Sequence, residues 1–279
     1  MRQGIDRLIP LNDFGDRIIS YLRFIRYNGR RPADISLLND YLYHRKTGQG
    51  AHDPLQAYVS DKAFLKDYVT ARLGPGHNVP TQAVLRSPAE VQSFDFSDRC
   101  AIKPTHLSGP FMLRTAGEPV SREVICSWFD KNHYVWTREK NYRYLTPRVI
   151  VEDLIFDRTD NADIKFYCYR GRARMVQLDL GRTGTHERMY YNRDWVKLPF
   201  SKGGRPMADG ETPRPENLDA LLQIADRLSA DFEFVRVDLY TDGDTILVGE
   251  LTHCPGSANS PFIPASAERA ASDILFGRV

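Results

Sequence analysis

The sequence is short of cysteines, has no long apolar run and carries almost no charge imbalance, and each shortage removes a class of protein. Its four cysteines, Cys100, Cys126, Cys168 and Cys254, are scattered, with no Cys-x-x-Cys pair and no histidine at metal-ligand spacing. That excludes a zinc site and a disulfide framework, and leaves small buried hydrophobes with reduced thiols. The apolar runs are short, as in Val149-Ile150-Val151 and Ile246-Leu247-Val248, whereas a spanning helix needs about 20. The opening MRQGIDRLIPLNDFGD breaks every apolar stretch with Arg or Asp, so it does not read as a secretory signal. The expectation is a cytoplasmic protein with no transmembrane segment. The 38 basic against 36 acidic residues leave a net charge of +2, which argues against a nucleic-acid partner. Also missing are GxxxxGK[ST], GxGxxG after a strand, HExxH and GxSxG.

What is present is an ordinary globular composition, 42% hydrophobic and 27% charged over 279 residues, enough for one large or two modest domains. Residues 1–50 hold nine Lys/Arg against five Asp/Glu. There Arg17, Arg23 and Arg26 thread through an apolar segment, followed by Arg30 and Arg31. The pattern is that of an amphipathic helix whose basic face is solvated or makes a weak peripheral contact with a membrane or polyanion. Helices are predicted from Asp13 to Tyr27, from Ile35 to Arg45, and from an N-cap at Ser60 to Gly74. Short strands follow at Gln82–Leu85, Cys100–Lys103, Phe111–Arg114 and Arg148–Leu154, with a helix over Ser121–Asn132. Two hairpins come next. IKFYCYRG and ARMVQLDLG join through Arg170-Gly171-Arg172, and FEFVRVDLY and TILVGELT flank Asp242-Gly243-Asp244. Between the hairpins, 182–213 reads as a polar loop, and a helix runs from Pro215 to about Ala230. Helices mixed with antiparallel hairpins indicate an α+β fold.

The chemistry concentrates in the last hairpin. In Phe234–Tyr240 the odd positions from Val235 are aliphatic and the even ones polar or aromatic, so Arg236 and Asp238 share one face. A three-residue loop at Asp242–Asp244 would set Arg236 opposite Glu250, with Asp238 diagonal to it. The cluster is either a surface salt bridge or a phosphoryl-transfer arrangement, in which carboxylates hold Mg2+ and the guanidinium faces developing charge. Lys103, ending a strand before the small polar loop Pro104–Gly109, and Lys62, at a helix start, are candidate phosphate contacts. Val149–Ile155 is a strand carrying Glu152 and Asp153 in an apolar frame, able to offer backbone groups and a carboxylate to an adenine amino group.

In this order the pieces resemble the ATP-grasp superfamily, in particular its TupA-like, teichuronopeptide-biosynthesis-like branch. They are Ser60-Asp61-Lys62, Val79-Pro80-Thr81, Ile102-Lys103-Pro104, Val151–Leu154, Asp163–Cys168, Val235–Tyr240, and Gly249–Thr252 running into Pro255-Gly256. The resemblance covers roughly residues 58–279. It implies two α+β subdomains with antiparallel sheets gripping ATP, at 60–150 with a flap loop and 151–279 with the metal and acceptor site, after a helical region at 1–59. It further implies that Lys62 and Lys103 contact the ATP phosphates and that Thr105 to Gly109, including Ser108, form the flap. Glu152, with the backbone of Asp153 and Leu154, would read adenine, and Asp163 would hold the ribose. Asp238 and Glu250 would be Mg2+ ligands, and Arg236, Lys103 and Lys165 the catalytic cations. Many ATP-grasp enzymes place Asn where this chain has Thr252, which puts a second metal in question.

The reaction so implied is carboxylate–amine ligation through an acyl phosphate, releasing ADP and phosphate. By analogy within the branch, the amide would join a uronic-acid carboxylate of a cell-surface or capsule polysaccharide, or its precursor, to an amino acid or amine. Arg182, Arg188, Arg193, Lys197 and Lys202 mark either a landing surface for that anionic acceptor or a solvated loop, with Arg182 and Arg188 the candidate substrate contacts. Two other readings stay open: a sugar kinase, and a non-catalytic module binding a nucleotide or glycan.

Overall fold

The structure is a computed structural model that describes residues 9–155, 163–180 and 187–278. Its first helix, α1 (Asp13–Asn28), starts where the Asn12 side chain accepts the Gly15 amide at 2.9 Å and ends at Gly29, left-handed at φ 68°. Next come α2 (Leu38–Thr47), α3 (Pro54–Ser60) and α4 (Lys62–Leu73). The N-cap expected at Ser60 is instead Asp61, whose carboxylate accepts the Ala63 amide; Ser60 closes α3 and donates to the Gln56 carbonyl. Then follow β1 (Thr81–Leu85), α5 (Pro88–Ser93), β2 (Cys100–Pro104), β3 (Met112–Arg114), α6 (Arg122–Cys126), α7 (His133–Thr137) and β4 (Val149–Asp153). The helix predicted over Ser121–Asn132 is thus short, and Asn132 caps α7 through the Tyr134 amide.

The rest of the described chain holds β5 (Asp163–Tyr169), β6 (Arg172–Leu180), β7 (Glu187–Asn192), β8 (Lys197–Leu198), β9 (Ser201–Lys202), α8 (Leu218–Ser229), β10 (Phe234–Thr241), β11 (Ile246–Thr252), β12 (Phe262–Ile263) and α9 (Glu268–Phe276). The expected loop over 182–213 therefore contains strands. In Glu187–Asn192 the period-2 signal is hidden because Met189, Tyr190 and Tyr191 are all buried, so both faces of β7 are apolar. The next helix begins at Leu218, with Pro215 in the turn before it.

The described residues sort into two units, 52–155 and 9–51 together with 163–278. Sequence reasoning placed boundaries at 59 and 150, and both move. The first helices pack with the C-terminal part: the Leu38 amide donates to Ser272, the Asn39 amide to Glu268, and Arg30 bridges Asp40 and Glu268. Position 150 falls inside β4, a central strand of the first unit.

That unit is built on an antiparallel sheet in the order β1–β4–β2–β3. Alternation turns Cys100, Ile102, Val149 and Val151 into a core with Phe96, Leu107, Ile125 and Trp128. Lys103 and Glu152 consequently stand on the other face.

The second unit is built on an antiparallel sheet in the order β11–β10–β5–β6–β7–β8. The β5–β6 hairpin turns through Arg170 and Gly171, both at positive φ, as a two-residue turn of that twist requires. Ile164, Phe166, Val176, Val235, Val237 and Leu239 point to the face covered by α8, whose apolar stripe is Leu218, Leu221, Leu222, Ala225 and Leu228. On the opposite face, Tyr167, Met175, Tyr190 and Phe234 are covered by Leu38, Tyr41 and Leu42 of α2 and by Ala271 and Leu275 of α9. The polar residues of that face lie beyond this aromatic end.

Candidate functional site

Across the second sheet the register lines up polar side chains in rows on one face. Asp238 on β10 stands opposite Glu250 on β11 and Lys165 on β5. Lys165 stands opposite Gln177 on β6, and Gln177 opposite Tyr190 on β7. One row along are the pairs Tyr240–Asp163 and Asp179–Arg188, and on the other side Arg236 stands opposite Thr252 and Tyr167. The expected three-residue hairpin loop is corrected here. Thr241 pairs with Ile246, so the loop has four residues, and a bulge beside Asp238 adds Gly249 to β11. Arg236 therefore faces Thr252 rather than Glu250. Glycine at the bulge lets the Tyr240 ring lie close over the strand, since a Cβ at Gly249 would stand 2.6 Å from that ring.

Arg236 grips Asp238 with its fork, Nε to Oδ1 and Nη2 to Oδ2 at 2.6 Å each, and Nη2 also donates to Thr252 Oγ1 at 3.1 Å. Lys165 donates to Asp163 and lies 3.3 Å from Asp179 and 3.9 Å from Asp238. One ammonium thus sits among three carboxylates. Burial pushes Asp238 up to about 6, although Arg236 and Lys165 pull it back. Burial also opposes the Arg236 cation, but Asp238 more than offsets this and raises it well above the ordinary value. Arg188 donates to Asp179 at 2.6 Å and to the Lys202 carbonyl at 2.9 Å. The buried Lys202 ammonium donates to Asn39 Oδ1 and the Ser260 carbonyl, and burial lowers its pKa to about 7.

In the first unit a second cluster centres on Glu152. Its carboxylate meets Lys66 of α4 at 2.6 Å and Lys103 of β2 at 2.8 Å. Burial acts to raise the Glu152 pKa, but the two lysines outweigh it and hold the carboxyl below its usual range. Lys62 ties down the small polar loop, with its amide donating to the Thr105 carbonyl and Nζ to the Leu107 carbonyl at 2.6 Å. Thr105, expected in a flap, is fully buried, and its hydroxyl donates to Asp61, which also pairs with Arg148 at 2.9 Å. Only the end of that loop is open: Ser108 is half-buried and Gly109 is exposed at φ 106°. Asp153 is half-buried and accepts from Gln82. Its amide donates to the Pro80 carbonyl, and Leu154 follows just past β4.

The structure thus gathers Lys103 with Glu152, Lys62 with the Thr105–Gly109 loop, and Asp163, Lys165, Arg236, Asp238, Glu250, Thr252 and Arg188 on one sheet face. Arg182 lies outside the described residues. Lys66, Gln177 and Asp179 were missed. Signals existed, because Lys66 follows Lys62 by four residues on one helix face, and Gln177 and Asp179 alternate with the apolar residues of β6. Among the described residues no three His, Cys, Asp or Glu side chains converge as a metal cage. The hard oxygens of Asp238, Glu250 and Thr252 nonetheless suit a divalent cation that takes its other ligands from water or phosphate.

The profile of the family described as TupA-like ATPgrasp matches residues 41–275. No curated protein matches the chain. Among solved structures it is similar to the D-alanine–D-alanine ligase of Bacillus anthracis with ATP, at 16% identity and TM-score 0.42, over 79% of this chain and 63% of that one. It is also similar to the ATP-grasp ligase PsnB with a minimal precursor (13%, TM-score 0.42, 82% and 63%) and to the D-alanine–D-alanine ligase of Helicobacter pylori (14%, TM-score 0.40, 72% and 55%). The chain thus spans less than two thirds of the length of these ligases.

Proposed function

The chain belongs to the TupA-like ATP-grasp family, and on that premise we propose that it is an ATP-dependent carboxylate–amine ligase using Mg2+. A carboxylate oxygen of the acceptor attacks the γ-phosphorus of ATP, the bond to the bridging oxygen breaks and ADP leaves. The acyl phosphate is then attacked at its carbonyl carbon by an amine. The C–N bond forms, phosphate departs with the C–O electron pair, and the amine proton passes to solvent. Positioning and electrostatics can carry both steps without a side-chain nucleophile.

The observation that carries the reading is the row of Arg236, Asp238, Glu250, Thr252 and Lys165 on one sheet face. Arg236 and Lys165 provide fixed positive charge for the transferred phosphoryl group, while Asp238 and Glu250 hold Mg2+, which supplies charge neutralisation at the phosphate oxygens. Lys62, Lys103, Ser108 and Gly109 contact the phosphates. Glu152 and Leu154 read adenine, Asp163 holds the ribose, and Arg188 receives the acceptor's charge. The acceptor is a uronic-acid carboxylate of a cell-surface polysaccharide or its precursor, and the donor an amino acid or amine. Consumption of ATP places the reaction in the cytoplasm.

The test is ADP release from Mg-ATP against a panel of uronic acids and amines, with hydroxylamine to trap the acyl phosphate and Glu250→Ala as control. Carboxylate-dependent ADP with a hydroxamate product is expected. ADP with phosphate on a sugar hydroxyl would make the protein a kinase. A non-catalytic nucleotide-binding module is the second reading, favoured by Thr252 and by the closed Arg236–Asp238 fork; ATP binding without turnover on any acceptor would establish it.

A further inference from the structure

Helix α1 has two unlike faces. Gly15, Asp16, Ile19, Ser20 and Phe24 are buried against the second unit. On the outward side Phe14 and Leu22 are 69% and 48% exposed, with Leu11, 39% exposed, just before the helix; Ile18 and Ile25, in line with them, are half-buried. Spacing of three and four residues makes these one continuous apolar stripe. Its margins are basic. Exposed Arg17 and Arg26 flank the stripe on its two sides, half-buried Arg23 lies on the same helix, and exposed Arg31 follows it. Of the acids in the helix, Asp16 is buried and only Asp13, in the first turn, is exposed. No helix among the described residues is long and apolar enough to cross a membrane, so this stripe can only lie on a surface.

We propose that α1 is an interfacial anchor that lays Leu11, Phe14, Ile18, Leu22 and Ile25 into an anionic lipid surface, with Arg17 and Arg26 on the headgroups. A large apolar patch on an isolated helix face marks an interaction surface, and basic margins around an apolar stripe fit the headgroup boundary. Charge selects the occupant: a second copy docking on the same face would bring the same positive margin, whereas anionic lipid complements it. The inference is independent of the ligase reading, because none of these residues belongs to the polar clusters.

The test is sedimentation of the full chain with phosphatidylcholine vesicles, with and without about 30 mol% phosphatidylglycerol. Binding at least about tenfold stronger to the anionic vesicles, and weakened by salt, is expected. Phe14→Ser with Leu22→Ser, and separately Arg17→Gln with Arg26→Gln, should each abolish most of it while leaving the thermal midpoint in solution unchanged. Wild-type protein that ignores both vesicles, or binds neutral and anionic ones equally, overturns the proposal. So does a wild-type dimer that the Phe14→Ser/Leu22→Ser variant converts to monomer, which would assign the face to a second copy.

Discussion

Glu152 in the first unit and Asp238 in the second are both buried carboxylates paired with cations, yet their pKa values move in opposite directions. Two lysines from different elements reach the two oxygens of Glu152, each with part of its side chain in water, and the acid is held low. Asp238 meets a fully forked arginine and a nearby lysine but shares that lysine with Asp163 and Asp179, and burial wins, pushing it to about 6. In both sites the cations pull the carboxylate down and burial pushes it up; the two lysines outweigh burial at Glu152, whereas at Asp238 burial prevails. In the first cluster each cation is partly hydrated and is shared with no other acid among the described residues. In the second, one ammonium is shared among three carboxylates, and the Mg2+ and phosphate site proposed above rests on that arrangement.

The largest effect that would sharpen this contrast is on stability. Arg236→Met should cost about 3–5 kcal/mol, because it strands Asp238 in the interior; urea unfolding measures it, and a loss no larger than that of a surface pair would erase the distinction. Next, Glu250→Ala and Lys103→Ala should each lower turnover by roughly 3 kcal/mol of transition-state stabilisation. Equal losses in an ADP-release assay would mean that both clusters serve one reaction, and near wild-type turnover in both would remove the catalytic reading. Glu152→Gln should cost about 1–3 kcal/mol, since Lys66 and Lys103 lose their shared partner.

Acid titration then separates the two by sign. Glu152, with its folded pKa lowered, contributes stability above its unfolded value near 4.5 that is lost as pH falls through the folded value. Asp238, raised from 3.8 to about 6, contributes most below 3.8 and loses that contribution as pH rises towards 6. Thermal midpoints of Asp238→Asn should therefore gain on wild type between pH 4 and 6, whereas wild type should lose its advantage over Glu152→Gln only on the acid side of 4.5. Parallel curves for the two variants would break the comparison. Smallest of all, Lys66→Met should cost less than about 1 kcal/mol, because its ammonium is partly hydrated and Lys103 remains on Glu152.

Much of this was legible beforehand. Alternation in Phe234–Tyr240 placed Arg236 and Asp238 on one face, and the hairpin at Arg170-Gly171 was readable because that turn needs residues tolerant of positive φ. Register was not legible. Moving Glu250 opposite Asp238 took a four-residue loop and the Gly249 bulge, and neither leaves a mark in hydrophobic periodicity. Strand β7 was unreadable for the opposite reason, because burial on both faces removes the period-2 contrast.

By itself the sequence determined most of the helices and the two main hairpins, the α+β class, the family and the residue kinds that carry the chemistry, since local propensity and order along the chain encode those. Only the tertiary structure decided which cations meet which carboxylates. It brought Lys66 and Lys103 together on Glu152, set Lys165 among three acids, and docked the first helices on the C-terminal unit. The reason is physical. Pairing and burial depend on through-space distances between elements far apart in the chain, and those distances set how hydrated each charge remains.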